Sequence, residues 1–198
     1  MEDAPSRGFQ VISIVLALLS AAALGFASMS YAWAVDPVGG RVGYGLRARQ
    51  DCDADGCRQT SFIALQRSAD EIEVVSARGA SARGPSSTLR AFGWVTSISC
   101  WIAAGMLVLS SVLVVLGRLF FRPIAATTLA LLALIVGMIA GCVFVAQARE
   151  IGTVGWTFWV FGVGTVVGIV AAQRLARFKP SDPFWDNPPP VTDDPDKW

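Results

Sequence analysis

Residues 124–146 read IAATTLALLALIVGMIAGCVFVA, a run without one Asp, Glu, Lys or Arg. At 1.5 Å of rise per residue, about 20 apolar residues cross a hydrocarbon core of about 30 Å. The run is long enough to span, and a mid-bilayer Arg or Asp would cost it about 2.5 to 3.5 kcal/mol. Three further stretches share the property: residues 9–34, 91–116 and 152–172. The spacing therefore predicts four spanning helices, at 9–34, 91–116, 124–146 and 152–173. They are joined by a long loop at 35–90, a turn at 117–123 and a short link at 147–151. An eight-residue terminus precedes them and a tail at 174–198 follows. Pro123 opens the third span, where its missing N–H does no harm. The first stretch could also be a signal peptide with a cleavage site near Ala32-Trp33-Ala34, but its apolar run exceeds the usual 7 to 15 residues.

Composition narrows the function classes. Of 198 residues, 54% are hydrophobic and 16% are charged, against about 25% charged in an ordinary soluble domain. The chain has no His, which removes Ser-His and Cys-His nucleophile pairs, imidazole metal sites and histidine proton shuttles. A formal net charge of +1 supplies no field to recruit nucleic acid. No cofactor is implied, and the absence of ionisable residues in the spans argues against carboxylate-coupled transport. The reading is a non-enzymatic membrane protein.

An even number of spans puts both termini on one side. Arg7, Arg118, Arg122, Arg174 and Arg177 flank the helix ends on that side and Arg90 and Arg149 on the other, which favours cytosolic termini. Aromatic residues mark the interfaces: Tyr31, Trp33, Phe92, Trp94, Trp156, Phe158 and Trp159 at one level, Phe120 and Phe121 at the other. The tail, rich in Pro and Asp and lacking apolar periodicity, is expected to be disordered. It is either a solvated terminus or, through Pro188, Pro189 and Pro190, a docking strip for a cytosolic partner.

Small residues recur at spacing four: Ala17, Ala21 and Gly25 in the first span, Gly137 and Gly141 in the third, Gly164, Gly168 and Ala172 in the fourth. Such rows let helix backbones approach closely, either within the bundle or against another membrane protein. Cys100 and Cys142 read as small packing residues.

The loop 35–90 carries the remaining information. Val42, Tyr44, Leu46 and Ala48 alternate with Arg41, Gly43, Gly45, Arg47 and Arg49, the period of a strand with one covered face. Residues 60–65 and 71–75 are further β-leaning runs. Between them Asp51-Cys52-Asp53-Ala54-Asp55-Gly56-Cys57 reads as a hairpin tip closed by a Cys52–Cys57 disulfide. Such a bond needs an oxidising compartment, which places the loop outside and the termini in the cytosol. The same stretch matches the first half of a calcium loop through Asp51, Asp53 and Asp55, but position twelve is Phe62 where a bidentate Glu is required. Tyr44, Leu46, Phe62 and Ile63 are candidate exposed contacts, or else the module's own covered face.

A β-rich, disulfide-bearing outer loop between the first two of four spans, with cytosolic termini, resembles the claudin, peripheral myelin protein and calcium channel gamma subunit superfamily. The claudin signature is a Trp, then Gly-Leu-Trp, then two Cys. This chain has Trp33, then Gly45 and Leu46, then Cys52 and Cys57, with Arg47 standing where the signature has its second Trp. Arg90 ahead of the second span resembles a family arginine. Glu150 and Gly152, followed by Gly155-Trp156-Thr157-Phe158, resemble the family's entry into the fourth span. The short link between the third and fourth spans departs from claudins, and the end Asp196-Lys197-Trp198 is not a PDZ ligand. The resemblance implies an all-α membrane protein, a four-transmembrane-helix bundle with a small extracellular β-sheet module in the first outer loop. It implies a plasma-membrane location (the cytoplasmic membrane in a microbe). Activity would come through association, with copies of itself or a partner. The alternative is an auxiliary subunit of a channel or transporter, packing laterally through Gly164, Gly168 and Ala172.

Overall fold

In the computed structural model the described residues are 7–35, 42–54, 56–65, 67, 87–116, 123–149 and 152–177. Four helices carry the fold: α1 (Arg7–Met29), α2 (Ser87–Leu116), α3 (Pro123–Ala148) and α4 (Trp156–Ala176). Each is long and apolar enough to cross a membrane, and together they mark a multi-pass membrane protein. They pack as a ring in which α1 meets α2 and α4, and α3 meets the same two, while α2 and α4 touch lightly across the middle. The 30 residues of α2 amount to about 45 Å of helix. The 21 residues of α4 give about 32 Å, so α2 is longer by about two and a half turns.

The small residues do what close approach requires. Ala17, Ala171 and Ala172 are fully buried. A Cβ built on Gly164 would lie 3.0 Å from the Cβ of Ala23, and one on Gly168 would lie 2.5 Å from Ser20 Oγ, so both glycines seat α4 against α1. Gly137 faces Ser99 of α2, and Gly141 faces the ring of Phe161 of α4. Ala21 is buried with them. Gly25 is the exception, because a Cβ there would meet nothing within 4 Å.

Hydroxyls bridge or cap these seams. Ser20 donates to the Gly164 carbonyl at 2.7 Å, and Ser28 and Ser97 join α1 to α2 at 3.0 Å. Ser13, Thr96, Ser110, Ser111 and Thr165 bond back to their own helices, as hydroxyls in apolar helices usually do. Among the described residues no buried side-chain polar atom lacks a partner. That is the condition for hydroxyls to be tolerated in an apolar medium. Cys100 is buried, whereas Cys142 is exposed on α3 and does not serve as a packing residue.

At the end of the bundle where α1 and α3 finish and α2 and α4 begin sits a five-stranded antiparallel sheet. Its strands are β1 (Ala34–Val35), β2 (Val42–Tyr44), β3 (Ala48–Asp53), β4 (Gly56–Ser61) and β5 (Thr153–Val154), in the order β4-β3-β2-β1-β5. Several sequence expectations change here. The first helix stops at Met29, so Trp33 and Ala34 lie beyond it. The alternation from 41 to 49 is two strands, because the chain turns at Gly45-Leu46-Arg47 and Gly45 N–H bonds the Ala48 carbonyl at 2.9 Å. The run expected at 60–65 leaves the sheet after Ser61, and residues 62–65 are helical. Gly152 and Gly155 precede α4, and the residues between them supply the fifth strand. The last helix runs on to Ala176, into the stretch expected to be tail; the run at 71–75, the turn at 117–122 and the tail beyond residue 177 fall outside the described residues.

Candidate functional site: the sheet and its buried tryptophan

Trp33 organises the junction between sheet and bundle. It is fully buried, so it does not sit in the interfacial aromatic belt where its sequence position put it. Its ring lies 5.1 Å from Phe161 of α4, 5.9 Å edge-on from Phe144 of α3 and 6.2 Å from Phe158. Those are separations at which aromatic quadrupoles attract. The indole N–H donates to the Ala27 carbonyl at 2.7 Å, one of the last α1 carbonyls that has no partner within its own helix. Among the described residues the exposed aromatics at this end include Trp94, Trp156, Trp159 and Phe26, whose ring lies 5.4 Å from that of Trp156.

The segment before Trp33 caps α4 with backbone. Gly155 N–H donates to the Trp33 carbonyl at 2.8 Å and Thr157 N–H to the Ala32 carbonyl at 3.4 Å. Gly155 offers α4 no side-chain cap, so these carbonyls satisfy N–H groups that would otherwise be orphans. Ser30 and Thr157 add a hydroxyl pair at 2.7 Å. Glycine is required at these closures: a Cβ on Gly155 would collide with the Ala32 carbonyl, and one on Gly93 of α2 with the Leu46 carbonyl. Gly93 did not stand out in the sequence, and Thr157 did so only within the Gly155-Trp156-Thr157-Phe158 run. The available signal at Gly93 is a glycine inside a helix, which costs about 1 kcal/mol against Ala unless close packing requires it.

The turn at Gly45-Leu46-Arg47 drops Leu46 into the core, and Phe62 follows, its N–H bonding the Arg47 carbonyl at 3.1 Å. Leu46 and Phe62 are therefore the module's covered side and not exposed contacts. Tyr44 is half-buried, and Ile63 is 51% exposed. Arg47 stacks over Trp94 at 5.5 Å and Arg49 over Tyr44 at 5.8 Å, both within reach of the ring quadrupole.

The β3–β4 hairpin has two unlike faces. Cys52 and Cys57 are direct cross-strand partners with sulfurs 2.04 Å apart, and Gln50 pairs with Gln59 on the same face. Tyr31 hydroxyl donates to Gln59 at 2.9 Å. The sequence-predicted staple is thus in place, with Gly56 at φ +137° closing the tip in a conformation glycine alone adopts readily. The opposite face carries Arg49, Asp51 and Arg58. Arg49 and Asp51 are paired at 2.8 Å, and Asp51 stands opposite Arg58.

Residues 51–53 are extended strand, whereas a calcium loop must curl its carboxylates around one point. Asp51 is already engaged by Arg49, and among the described residues no three acidic or thiol groups gather to hold a metal. Asp55 and Glu150 lie outside the described residues. Arg90 lies in the first turn of α2 and is half-buried. Compared with known protein families and with curated proteins, the chain matches none.

Proposed function

We propose that the chain is a non-enzymatic, claudin-like tetraspan protein that acts by association through its sheet, with the sheet on the outer side and both termini in the cytosol. The observation that carries this reading is the attachment of the sheet. Strands from two separate inter-helix segments form one sheet, held by the buried Trp33 and by backbone caps on α4. A display platform needs that rigidity. Among the described residues no strand pairs with the outer edge of β4 and the charged face of Arg49, Asp51 and Arg58 borders it, and a strand edge of that kind invites pairing or steric recognition. The Cys52–Cys57 disulfide supports an oxidising compartment for this side. The four-span plan, with its stapled sheet after the first span, supports the superfamily resemblance.

The auxiliary-subunit alternative loses the surface it named. Gly164 and Gly168 are seated against α1, and Ala172 is buried, so a lateral partner would have to use other residues. Purification from membranes in mild detergent tests the proposal. A self-associated species or a stoichiometric partner should be present, should be lost with Arg58→Glu and should survive Leu132→Ala on the lipid-facing side of α3. Association indifferent to Arg58→Glu but abolished by Leu132→Ala would overturn it.

A further inference from the structure

The turn between β2 and β3 places one arginine where α1 ends and α2 begins. Arg47 is half-buried with its guanidinium over the face of Trp94. Among the described residues no carboxylate pairs with it, in contrast to Arg49, which is held by Asp51. A guanidinium stacked on an indole keeps its N–H edge free in the plane of the stack, the geometry in which it forks onto phosphate oxygens.

The surroundings supply the rest of a ligand. A recess of about 140 Å³ opens beside the same turn, between Arg47, Ser30 and the exposed Met29. Below Trp94, which is 38% exposed, the outward side of α2 continues as Ile98, Trp101 and Ile102, all exposed and apolar. Their spacing is that of one helix face. Cation, interfacial indole and apolar strip thus run in order from the sheet toward the hydrocarbon. That order matches phosphate, glycerol and acyl chain in a phospholipid.

We infer that Arg47 and Trp94 form a site for a single phospholipid, with its phosphodiester on the Arg47 guanidinium, its glycerol against Trp94 and a chain along Ile98 and Trp101. The sheet is thereby tied to the leaflet it rests on. The inference requires membrane embedding and not the association proposed above, so either can fail alone.

The test follows thermal exposure of the buried Cys100 thiol in detergent-purified full-length protein carrying Cys142→Ser. Dioleoyl phosphatidylglycerol should raise the transition saturably. Dioleoylglycerol, which has the chains without the phosphate, and inorganic phosphate, which has no chains, should not. Arg47→Gln should weaken the apparent lipid affinity about tenfold, the scale of one charge-assisted hydrogen-bonded contact. Arg47→Lys should recover part of it, and native mass spectrometry should show one retained lipid in the parent and none in Arg47→Gln. Equal stabilisation of the parent and Arg47→Gln would overturn the site. A matching effect of inorganic phosphate would overturn the lipid as its ligand. If Arg47→Gln itself disturbs the fold, its lipid-free transition falls, and the retained-lipid count in Arg47→Lys decides: retention keeps the site, loss rejects it.

Discussion

Replacing Trp33 with Ala should be the most damaging single change at the sheet-to-bundle junction. The indole is fully buried against Phe144, Phe158 and Phe161. Truncating a buried Trp or Phe to Ala costs about 3 to 5 kcal/mol, a range that already contains the lost ring contacts. The Ala27 carbonyl also loses its donor, which puts the expected cost in the upper half of that range, about 4 kcal/mol. For a chain of this size 1 kcal/mol shifts the transition by about 2 to 4 °C, so Trp33→Ala should melt about 8 to 16 °C lower. Trp33→Phe separates the two contributions. It keeps most of the ring contact and removes the hydrogen bond, for a loss of about 1 kcal/mol and about 2 to 4 °C. Thiol-dye labelling of Cys100 on heating, with Cys142→Ser to silence the exposed thiol, reads both variants on one scale. A Trp33→Ala transition within about 2 °C of the parent would refute the reasoning, since the indole could not then be joining four segments.

Four other outcomes follow from the same structure. Gly155→Ala should lower the transition more than Gly25→Ala, because the first places a methyl on the Ala32 carbonyl and the second meets open space; a parallel melt of the two variants checks this. Alkylation before reduction should leave Cys52 and Cys57 unmodified. Replacing both with Ser should cost about 2 kcal/mol by the chain-entropy model for so short a ring, seen as a lower transition with helical circular dichroism unchanged. Titration of the full-length protein with millimolar calcium should give no binding heat, and a saturable signal abolished by Asp51→Asn would contradict the extended geometry of β3.

The spans were legible because exclusion of charge over some twenty residues has a single physical cause, the cost of desolvating an ion in hydrocarbon. The disulfide hairpin was legible because it is local: Asp-Gly between two cysteines determines a turn without reference to the rest of the chain. What could not be read was whatever depends on contacts distant in sequence. The alternation around Leu46 gave the same pattern whether the chain ran straight or turned, and the decision lies with Gly93, more than forty residues later. Trp33 looked like an interfacial anchor because a Trp at a span's edge usually is one. The aromatic pocket that buries it comes from α3 and α4, and no local pattern announces that. The fifth strand was missed because two residues at Thr153–Val154 carry no period of their own and are ordered by pairing with Ala34 and Val35.

The glycines at the junction explain why sheet and bundle should respond as one body. Backbone meets backbone at Gly155 with Ala32, at Gly93 with Leu46 and at Gly152 with Val35, so the sheet touches α2 and α4 without an intervening side chain to act as a hinge. A side chain can change rotamer and absorb a displacement, but a backbone contact moves only if an element moves. A partner that tilts the sheet must therefore shift the start of α4, through the Trp33 and Ala32 carbonyls that cap it, or break those hydrogen bonds. Removing the cap without adding bulk is not possible by substituting the carbonyl residues, whose side chains are not involved. Thr157→Ala is the available probe, since it deletes the hydroxyl pair with Ser30 and leaves the backbone bonds in place. The rigid-body account expects only a small destabilisation from it, about 1 kcal/mol, with the Cys52–Cys57 disulfide equally protected from reductant before and after. Markedly faster reduction of Cys52–Cys57 in Thr157→Ala would show instead that the sheet is held chiefly by that hydroxyl pair and moves independently of α4.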